Sequence, residues 1–364
     1  MLMDDTVILA TTREGLEYKM SILAQYCVDY GMVVNFDKTK FMVINGSAED
    51  KLPIPFLGDY VLHCWRYLYL GAVFTSDGNL SSSLVEHVKD KQKHLHKFIM
   101  FLRSNPDMPF IAKRKVLVAA FNSAILYGCE SWIGASPQVV NVLYMSAIKA
   151  LLGVRTSTPN DLCLVEVGLP PLDSFVKDRQ AKFLSKVLSE RHDIQNEDPY
   201  MYSLSLARRL SGISGVINHL LSVENQAELG IQKLHGRVNA QQGSRYTTYV
   251  NINPSLSVHD AYVRRRNTVP EHTRIAFSRM RLSSHRLKVE TGRWARSGIQ
   301  TLRENRLCTC GSVQDERHVI IDCPRTEHLR QTYEQPARHA NILTSADQNE
   351  DFKFIYEVLK VYDP

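Results

Sequence analysis

Four residues near the C-terminus have the types and the spacing of a metal site. They form the pattern Cys308-x-Cys310-x7-His318-x4-Cys323. Three thiolates and one imidazole are the ligand set of a structural zinc site with tetrahedral closure. The alternative is four unrelated residues in a loop. Four candidates fall within sixteen positions while the other cysteines are scattered, and this favours zinc. Gly311 next to the CxC pair would relieve backbone strain.

Two adjacent carboxylates lie at the other end of the chain. Asp4 and Asp5 separate the apolar stretch Met1-Leu2-Met3 from the β-branched run 6–12, a pattern typical of strand, tight turn and strand. Paired carboxylates in such a turn can bind Mg²⁺, with nucleotide phosphates completing the shell. The alternative is a solvated acidic turn, because aspartate is a common turn residue. Only three residues precede the turn, so we expect that an upstream part of the first strand is missing.

Positive charge is concentrated in residues 261–296, the basic segment. It holds ten lysines and arginines against two glutamates, a net of +8 in a chain whose total is +6. Arginine pairs with phosphate and stacks on bases, so the segment predicts contact with RNA and DNA, against the alternative of a solvated helix face. The candidate contacts are Arg264, Arg265, Arg266, Arg281, Arg286, Lys288, Arg293, Trp294 and Arg296.

Composition excludes several classes of protein. With 44% hydrophobic and 23% charged residues over 364 positions, the chain can bury a sizeable core, and two or more domains are expected. No apolar run approaches the roughly 18 residues of a membrane span, and no signal peptide is recognisable, so we expect no membrane partner. Seven unevenly spread cysteines are a poor disulfide framework and indicate a reducing compartment.

Hydrophobic periodicity predicts the elements that position these groups. The first 78 residues predict a small α+β layer, with a helix over 13–30 ended by Gly31 and strands over 32–35, 41–44 and 67–74. Helical stripes follow, at Leu84 to Leu102, Leu117 to Tyr127 and Val140 to Leu151. A linker is predicted around 156–159 and 168–171, then a helix over 173–192. Residues 193–260 are ambiguous.

Several motifs together resemble the late palm motifs of a reverse transcriptase of the non-LTR (LINE-type) retrotransposon kind. They are Leu2-Met3-Asp4-Asp5, Tyr30-Gly31-Met32-Val33-Val34-Asn35, Lys38-Thr39-Lys40 and Tyr67-Leu68-Tyr69-Leu70-Gly71. The resemblance implies Asp4 and Asp5 as catalytic magnesium ligands and Lys38 as a catalytic basic residue near the triphosphate. Segments 126–132 and 166–172 resemble the thumb region and the part that follows it. The Cys-Cys-His-Cys pattern before Pro324 resembles the C-terminal element of LINE-type proteins.

The resemblance implies an α+β remnant of a polymerase palm, then a mainly α thumb and connector, ending in a small zinc-knuckle module. The expected domains are a partial palm over 1–78, a helical thumb over 79–153, a helical connector over 154–260, and a basic segment with zinc knuckle and C-terminal helix over 261–364. A nuclear or nucleocytoplasmic location follows from the family alone.

One departure limits the activity that the resemblance implies. The family's site also needs an aspartate from an earlier palm strand, and neither it nor the fingers are found in this sequence. We therefore expect a C-terminal fragment of an RNA-directed DNA polymerase that binds nucleic acid without synthesis on its own, with magnesium held only if the site is completed. Two alternatives stay open: a host-adopted, non-catalytic nucleic-acid-binding or scaffold protein, and the decayed remnant of an element. The residues do not fix the oligomeric state.

Overall fold

The computed structural model describes residues 6–189, 214–263, 269–293, 300–337, 341–346 and 349–362. The chain is α+β and mostly helical, with a small sheet and a separate hairpin. It forms two compact units, Met1–Asp90 and Lys91–Pro364. The predicted connector and basic segment thus share the second unit with most of the predicted thumb.

The first unit packs one helix on a three-stranded sheet. Its elements are α1 (Arg13–Asp29), β1 (Lys40–Phe41), β2 (Ile54–Phe56) and β3 (Asp59–His63). The central strand β3 is parallel to β1 and antiparallel to β2. The threonine Thr12 caps α1 by accepting a hydrogen bond from the Gly15 N–H at 3.1 Å. The buried core consists of Met20, Phe41, Ile54, Phe56 and Val61.

The strand predicted over 32–35 does not form, and the prediction is wrong. This part of the described chain has no regular secondary structure, and Val33 is 98% exposed. The carbonyl of Asn35 accepts hydrogen bonds from the N–H groups of Lys38 and Thr39, so the chain turns here instead of extending. The next predicted strand is shortened to β1, because its neighbour β3 ends at His63, which lies opposite Phe41.

The strand predicted over 67–74 is a hairpin. It consists of β4 (Arg66–Tyr69) and β5 (Ala72–Thr75), with Tyr67 opposite Phe74. The two turn residues, Leu70 and Gly71, have φ values of +46° and +82°. Positive φ at both positions is the geometry of the tight turn that joins twisted antiparallel strands. Glycine adopts it freely, whereas leucine does so at a cost of about 1 kcal/mol.

The predicted helical stripes are helical in the structure, except that Tyr127 lies in a turn after its helix has ended and is 50% exposed. Helix α2 (Leu80–Ser104) begins in the first unit and ends in the second. Next come α3 (Phe110–Val116), a π-helical turn over Leu117–Asn122 and α4 (Ser123–Ile125). The stripe Val140, Leu143, Ala147 and Leu151 lies on α5 (Gln138–Leu152) and is buried, as predicted.

The predicted linker is instead part of the core. Between its two halves lies α6 (Asn160–Val167), in which every residue from Leu162 to Val167 is buried. Gly168 ends this helix with φ +64°. The guanidinium of Arg114 donates to the carbonyls of Val167 and Gly168 at 2.6 and 2.7 Å. Proline and glycine therefore mark helix ends here, not a boundary between domains.

The rest of the described chain is mostly helical, with loops and a β-bridge between Leu307 and Val313. The helix predicted over 173–192 corresponds to α7 (Leu172–Ser189), and residues 190–192 lie outside the described ranges. The remaining helices are α8 (Ser214–Ser222), α9 (Gln226–Ala240), α10 (Ser244–Ile252), α11 (Asp260–Val263), α12 (Glu271–Arg281), α13 (Lys288–Thr291), α14 (Glu327–Thr332), α15 (Glu334–Ala337), α16 (Ile342–Ser345) and α17 (Asn349–Tyr362). In the described ranges, none of the helices combines the length and the apolar character needed to span a membrane.

Candidate metal centre

The four residues predicted as metal ligands converge. Their donor atoms all lie within 4.8 Å of one another. The Sγ atom of Cys323 is 3.7 Å from that of Cys308 and 3.9 Å from that of Cys310, and His318 Nε2 is 3.2 Å from Cys310 Sγ. Two sulfurs bound to one tetrahedral ion at about 2.3 Å lie about 3.8 Å apart. This Cys/His cluster can therefore hold a metal ion, and its donor set is compatible with zinc.

A tight hairpin presents the first two ligands. Leu307 pairs with Val313 in an antiparallel bridge, and the Cys308 N–H donates to the Ser312 carbonyl at 2.7 Å. The Gly311 N–H donates to the Cys308 carbonyl at 3.0 Å, and Gly311 has φ +94°. Open space surrounds the position of a Cβ at this glycine, so the backbone conformation and not crowding requires the residue.

A π-helical turn over His318–Asp322 brings the other two ligands together. The Cys323 N–H donates to the His318 carbonyl at 2.8 Å, a bond between residues five apart. In an α-helix, residues five apart point about 140° away from each other. The wider π turn removes most of that angle, so both side chains face the same side. The carboxylate of Asp315 caps the start of this turn by accepting from the His318 N–H at 3.0 Å.

One thiol of the cluster, that of Cys308, differs electrostatically from the cysteines in the core. Burial alone would raise the pKa of Cys308, but hydrogen bonds from the Cys310 backbone and from the His318 and Gln314 side chains lower this pKa to about 5. Burial raises the pKa of Cys323. Burial also raises the pKa values of Cys129 and Cys163 to about 12. Because thiolates are the metal ligands, Cys308 is prepared for coordination and the two core cysteines are not.

The prediction that Arg281 contacts nucleic acid is wrong. Its side chain is 1% exposed and forms an ion pair with the fully buried carboxylate of Glu166. Arg281 Nε lies 2.7 Å from Glu166 Oε1, and Nη2 lies 3.2 Å from Oε2. The Tyr249 hydroxyl donates to the same carboxylate at 2.6 Å. Arg281 therefore neutralises a charge in the core and presents nothing to solvent.

Other cations of the basic segment also have acidic partners. Arg274 is buried and pairs with Glu271 at 2.9 Å, and Arg293 pairs with Glu290 at 3.0 Å. Two of the predicted contacts, Arg286 and Lys288, are exposed. The predicted residues Arg264, Arg265, Arg266, Trp294 and Arg296 lie outside the described residues.

Of the predicted catalytic residues, the structure describes one and leaves two outside the described ranges. Asp4 and Asp5 lie outside the described residues. Lys38 is exposed in a turn, and its carbonyl accepts a hydrogen bond from the Tyr67 hydroxyl at 3.0 Å. Within the described ranges, the Cys/His cluster is the one group of three or more potential ligands placed to hold a metal, so magnesium has no support there.

A buried polar group beside the cluster, centred on Glu316, is not predicted by the sequence. Glu316 Oε1 accepts hydrogen bonds from Ser283 Oγ and His285 Nε2, both at 2.9 Å. Burial raises the pKa of Glu316, but its bonds with His285 and Ser283 outweigh burial and lower this pKa to about 2. No local signal could have identified the group, because its members lie 31 to 33 positions apart.

The chain was compared with models of protein families, with curated proteins and with solved structures, and none of these comparisons found a match. The resemblance to LINE-type reverse transcriptases rests on the sequence motifs.

Proposed function

We propose that this protein binds RNA and DNA through its C-terminal part, which a zinc ion in the Cys/His cluster organises. The convergence of Cys308, Cys310, His318 and Cys323 carries the proposal. On the motif resemblance, we further propose that the chain is a C-terminal fragment of an RNA-directed DNA polymerase of the LINE type.

Zinc is favoured by the chemistry of the donor atoms. Thiolates are soft ligands that select zinc, copper(I) or iron, whereas magnesium and calcium prefer oxygen. Four donors from the protein complete a tetrahedral shell and leave no open position for substrate, which is the pattern of a structural zinc site. The ion would hold the hairpin of Cys308 and Cys310 against the π turn of His318 and Cys323.

Two exposed cations next to the Cys/His cluster favour nucleic acid as the binding partner. Arg286 and Lys288 are exposed, and the N–H of Lys288 donates to the side chain of Gln314 at 2.8 Å, between the two halves of the cluster. Arginine and lysine at a surface neutralise phosphates and release counterions, which gives affinity without sequence preference. Arg264, Arg265 and Arg266 would add to this charge.

The polymerase part of the proposal is supported by contact between two of its motifs. The hydroxyl of Tyr67, in the Tyr-Leu-Gly motif, reaches the carbonyl of Lys38, 29 positions earlier. This hydrogen bond brings the turn that carries Lys38 into contact with the hairpin that carries Tyr67, and such a contact is compatible with the palm that the resemblance implies. These 364 residues are proposed to bind nucleic acid without synthesising DNA, because the family's site needs one more aspartate than the motifs here supply.

A binding titration on the full chain tests the proposal. Zinc-loaded protein would be titrated into labelled single-stranded RNA, single-stranded DNA and duplex DNA, each in two unrelated sequences, across a range of salt concentrations. We expect similar affinity for unrelated sequences, a linear fall of log K with log salt, and weaker binding after the zinc is chelated. Absence of zinc from the purified protein, or absence of binding at low salt, would contradict the proposal.

A further inference from the structure

The spacer of the Cys/His cluster, Gly311–Arg317, supplies no ligand and yet contains two buried polar side chains. Gln314 is 6% exposed and Glu316 is 7% exposed. Buried polar groups cost free energy unless they are hydrogen-bonded, so such residues in a short metal-site loop require partners. Both find their partners in the middle of the basic segment.

Gln314 fixes the backbone at the start of α13. Its side-chain Oε1 accepts from the Lys288 N–H at 2.8 Å, and its carbonyl accepts from the Val289 N–H at 3.1 Å. Its own N–H donates to the Arg306 carbonyl at 2.9 Å, and Arg306 Nη1 donates to the Val289 carbonyl at 2.6 Å. The backbone that carries Lys288 is thus attached to the spacer by several hydrogen bonds.

Glu316 fixes the loop just before it. Its Oε1 accepts from Ser283 Oγ and from His285 Nε2, and the His285 side chain is fully buried. His285 Nε2 faces a carboxylate oxygen and therefore carries the proton. Arg286, the next residue, is exposed. Segment 283–289, which we call the clamp segment, is therefore held at two points, its start by Glu316 and its end by Gln314.

We propose that Glu316 and Gln314 are positioning residues that transmit metal binding to the clamp segment and thereby place Arg286 and Lys288 against phosphates. The inference rests on the proposed function for the identity of the partner. The physical step is loop closure. Cys310 and His318 flank the spacer, so holding one ion together would fix both of its ends. The spacer would then already be ordered, and ordering the clamp segment would cost less conformational entropy.

The direction in which affinity for nucleic acid changes distinguishes a positioning role of Glu316 from a purely electrostatic one. Glu316→Ala removes a negative charge, and on charge alone this change would strengthen binding to a polyanion. If Glu316 is a positioning residue, Glu316→Ala should instead weaken binding to nucleic acid. Glu316→Gln removes the same charge but retains an oxygen that can accept from Ser283 and His285, so it should bind like the wild type.

The first arm of the test needs no nucleic acid. Hydrogen exchange of residues 283–289 would be measured in the full chain with zinc bound and after chelation. We expect the Lys288 and Val289 amides to lose protection when zinc is removed from the wild type. The same amides should lose protection in zinc-loaded Glu316→Ala, although this variant should still carry about one zinc per chain. Unchanged protection after chelation would overturn the proposal. This arm decides the coupling even if the wild type binds no nucleic acid, a result that would refute only the proposed function.

The second arm measures affinity for a labelled single strand at fixed salt. Glu316→Ala should bind about tenfold more weakly than the wild type, and removal of its zinc should weaken binding little further. The control is Glu304→Ala, an exposed glutamate with the same change of charge. Binding by Glu316→Ala equal to that of Glu304→Ala would overturn the proposal. If Glu316→Ala does not fold, Ser283→Ala, which removes one donor to the same oxygen, replaces it with the same expectation at smaller magnitude.

Discussion

The guanidinium of Arg281 and the carboxylate of Glu166 form a buried ion pair between residues 115 positions apart. The pair joins the end of α12 to α6, and the Tyr249 hydroxyl completes the hydrogen bonding of the carboxylate. Removal of one member would leave an uncompensated charge in the core. The pair is therefore a point at which the second unit is sensitive to single substitutions.

Arg281→Ala should lower the free energy of unfolding by about 3–5 kcal/mol, because Glu166 is then buried without its cation. The exposed Lys288→Ala should change it by less than about 0.5 kcal/mol. Urea unfolding of the zinc-loaded proteins, followed by circular dichroism, measures both. Equal stability of the two variants would show that the pair does not support the core.

The same pair predicts a dependence on pH. Burial raises the pKa of Glu166, but Arg281 and the Tyr249 hydroxyl outweigh burial and hold this pKa below its ordinary value of 4.5. The stabilisation is complete above pH 4.5, where the unfolded carboxyl is ionised, and is lost as pH falls through the lower pKa of the folded state. The difference in free energy of unfolding between wild type and Glu166→Gln should therefore be constant from pH 7 to about pH 5 and then shrink. A difference that grows below pH 4.5 would contradict this assignment.

The sequence predicts those features that depend on residues close together in the chain. The stripe on α5 recurs with the period of a helix, and its residues are buried for that reason. The Cys308 to Cys323 pattern was predictable because a small metal site draws its ligands from one short stretch. The linker around 156–159 and 168–171 was not predictable as two helix ends, because proline and glycine occur both at helix ends and in loops.

Contacts between distant residues could not be predicted from the sequence alone. The sequence predicts a surface position for Arg281, because its partner, Glu166, lies in another helix and no local feature marks the pair. The pairing of His285 with Glu316 is hidden for the same reason. At Leu70 the apolar run continues through the turn, so a hairpin resembles one strand.

The hairpin turn offers a stabilising substitution. Leu70 has φ +46°, a left-handed conformation that asparagine tolerates far better than leucine, and Asn-Gly is the preferred pair for this turn. Leu70→Asn should raise the free energy of unfolding of the first unit by about 0.5–1 kcal/mol. Leu68→Asn, an exposed position inside β4, is the control and should destabilise. Hydrogen exchange of the β4 and β5 amides reports the change, and faster exchange in Leu70→Asn would refute the turn geometry.

Metal content distinguishes the cluster from the other cysteines. Cys323→Ser should reduce zinc from about one ion per chain to much less than one and unfold residues around 307–326 while the α5 helix stays intact. Cys64→Ser, at a half-buried cysteine outside the cluster, should retain the zinc. Elemental analysis and circular dichroism measure the two effects. Full zinc content in Cys323→Ser would remove this residue from the ligand set.

The most direct test of nucleic acid binding through the C-terminal part is the salt dependence of affinity for a single strand. It would be measured for the zinc-loaded wild type, for the double variant Arg286→Ala with Lys288→Ala, and for Lys177→Ala with Lys182→Ala on α7 as a control of equal charge. We expect the Arg286 and Lys288 variant to bind more weakly, and by a similar factor for unrelated sequences. Its slope of log K against log salt should be shallower by about 1.4, because two phosphate contacts are lost and each contributes about 0.7. The control should keep the wild-type slope. Unchanged affinity and slope in the Arg286 and Lys288 variant would contradict the account.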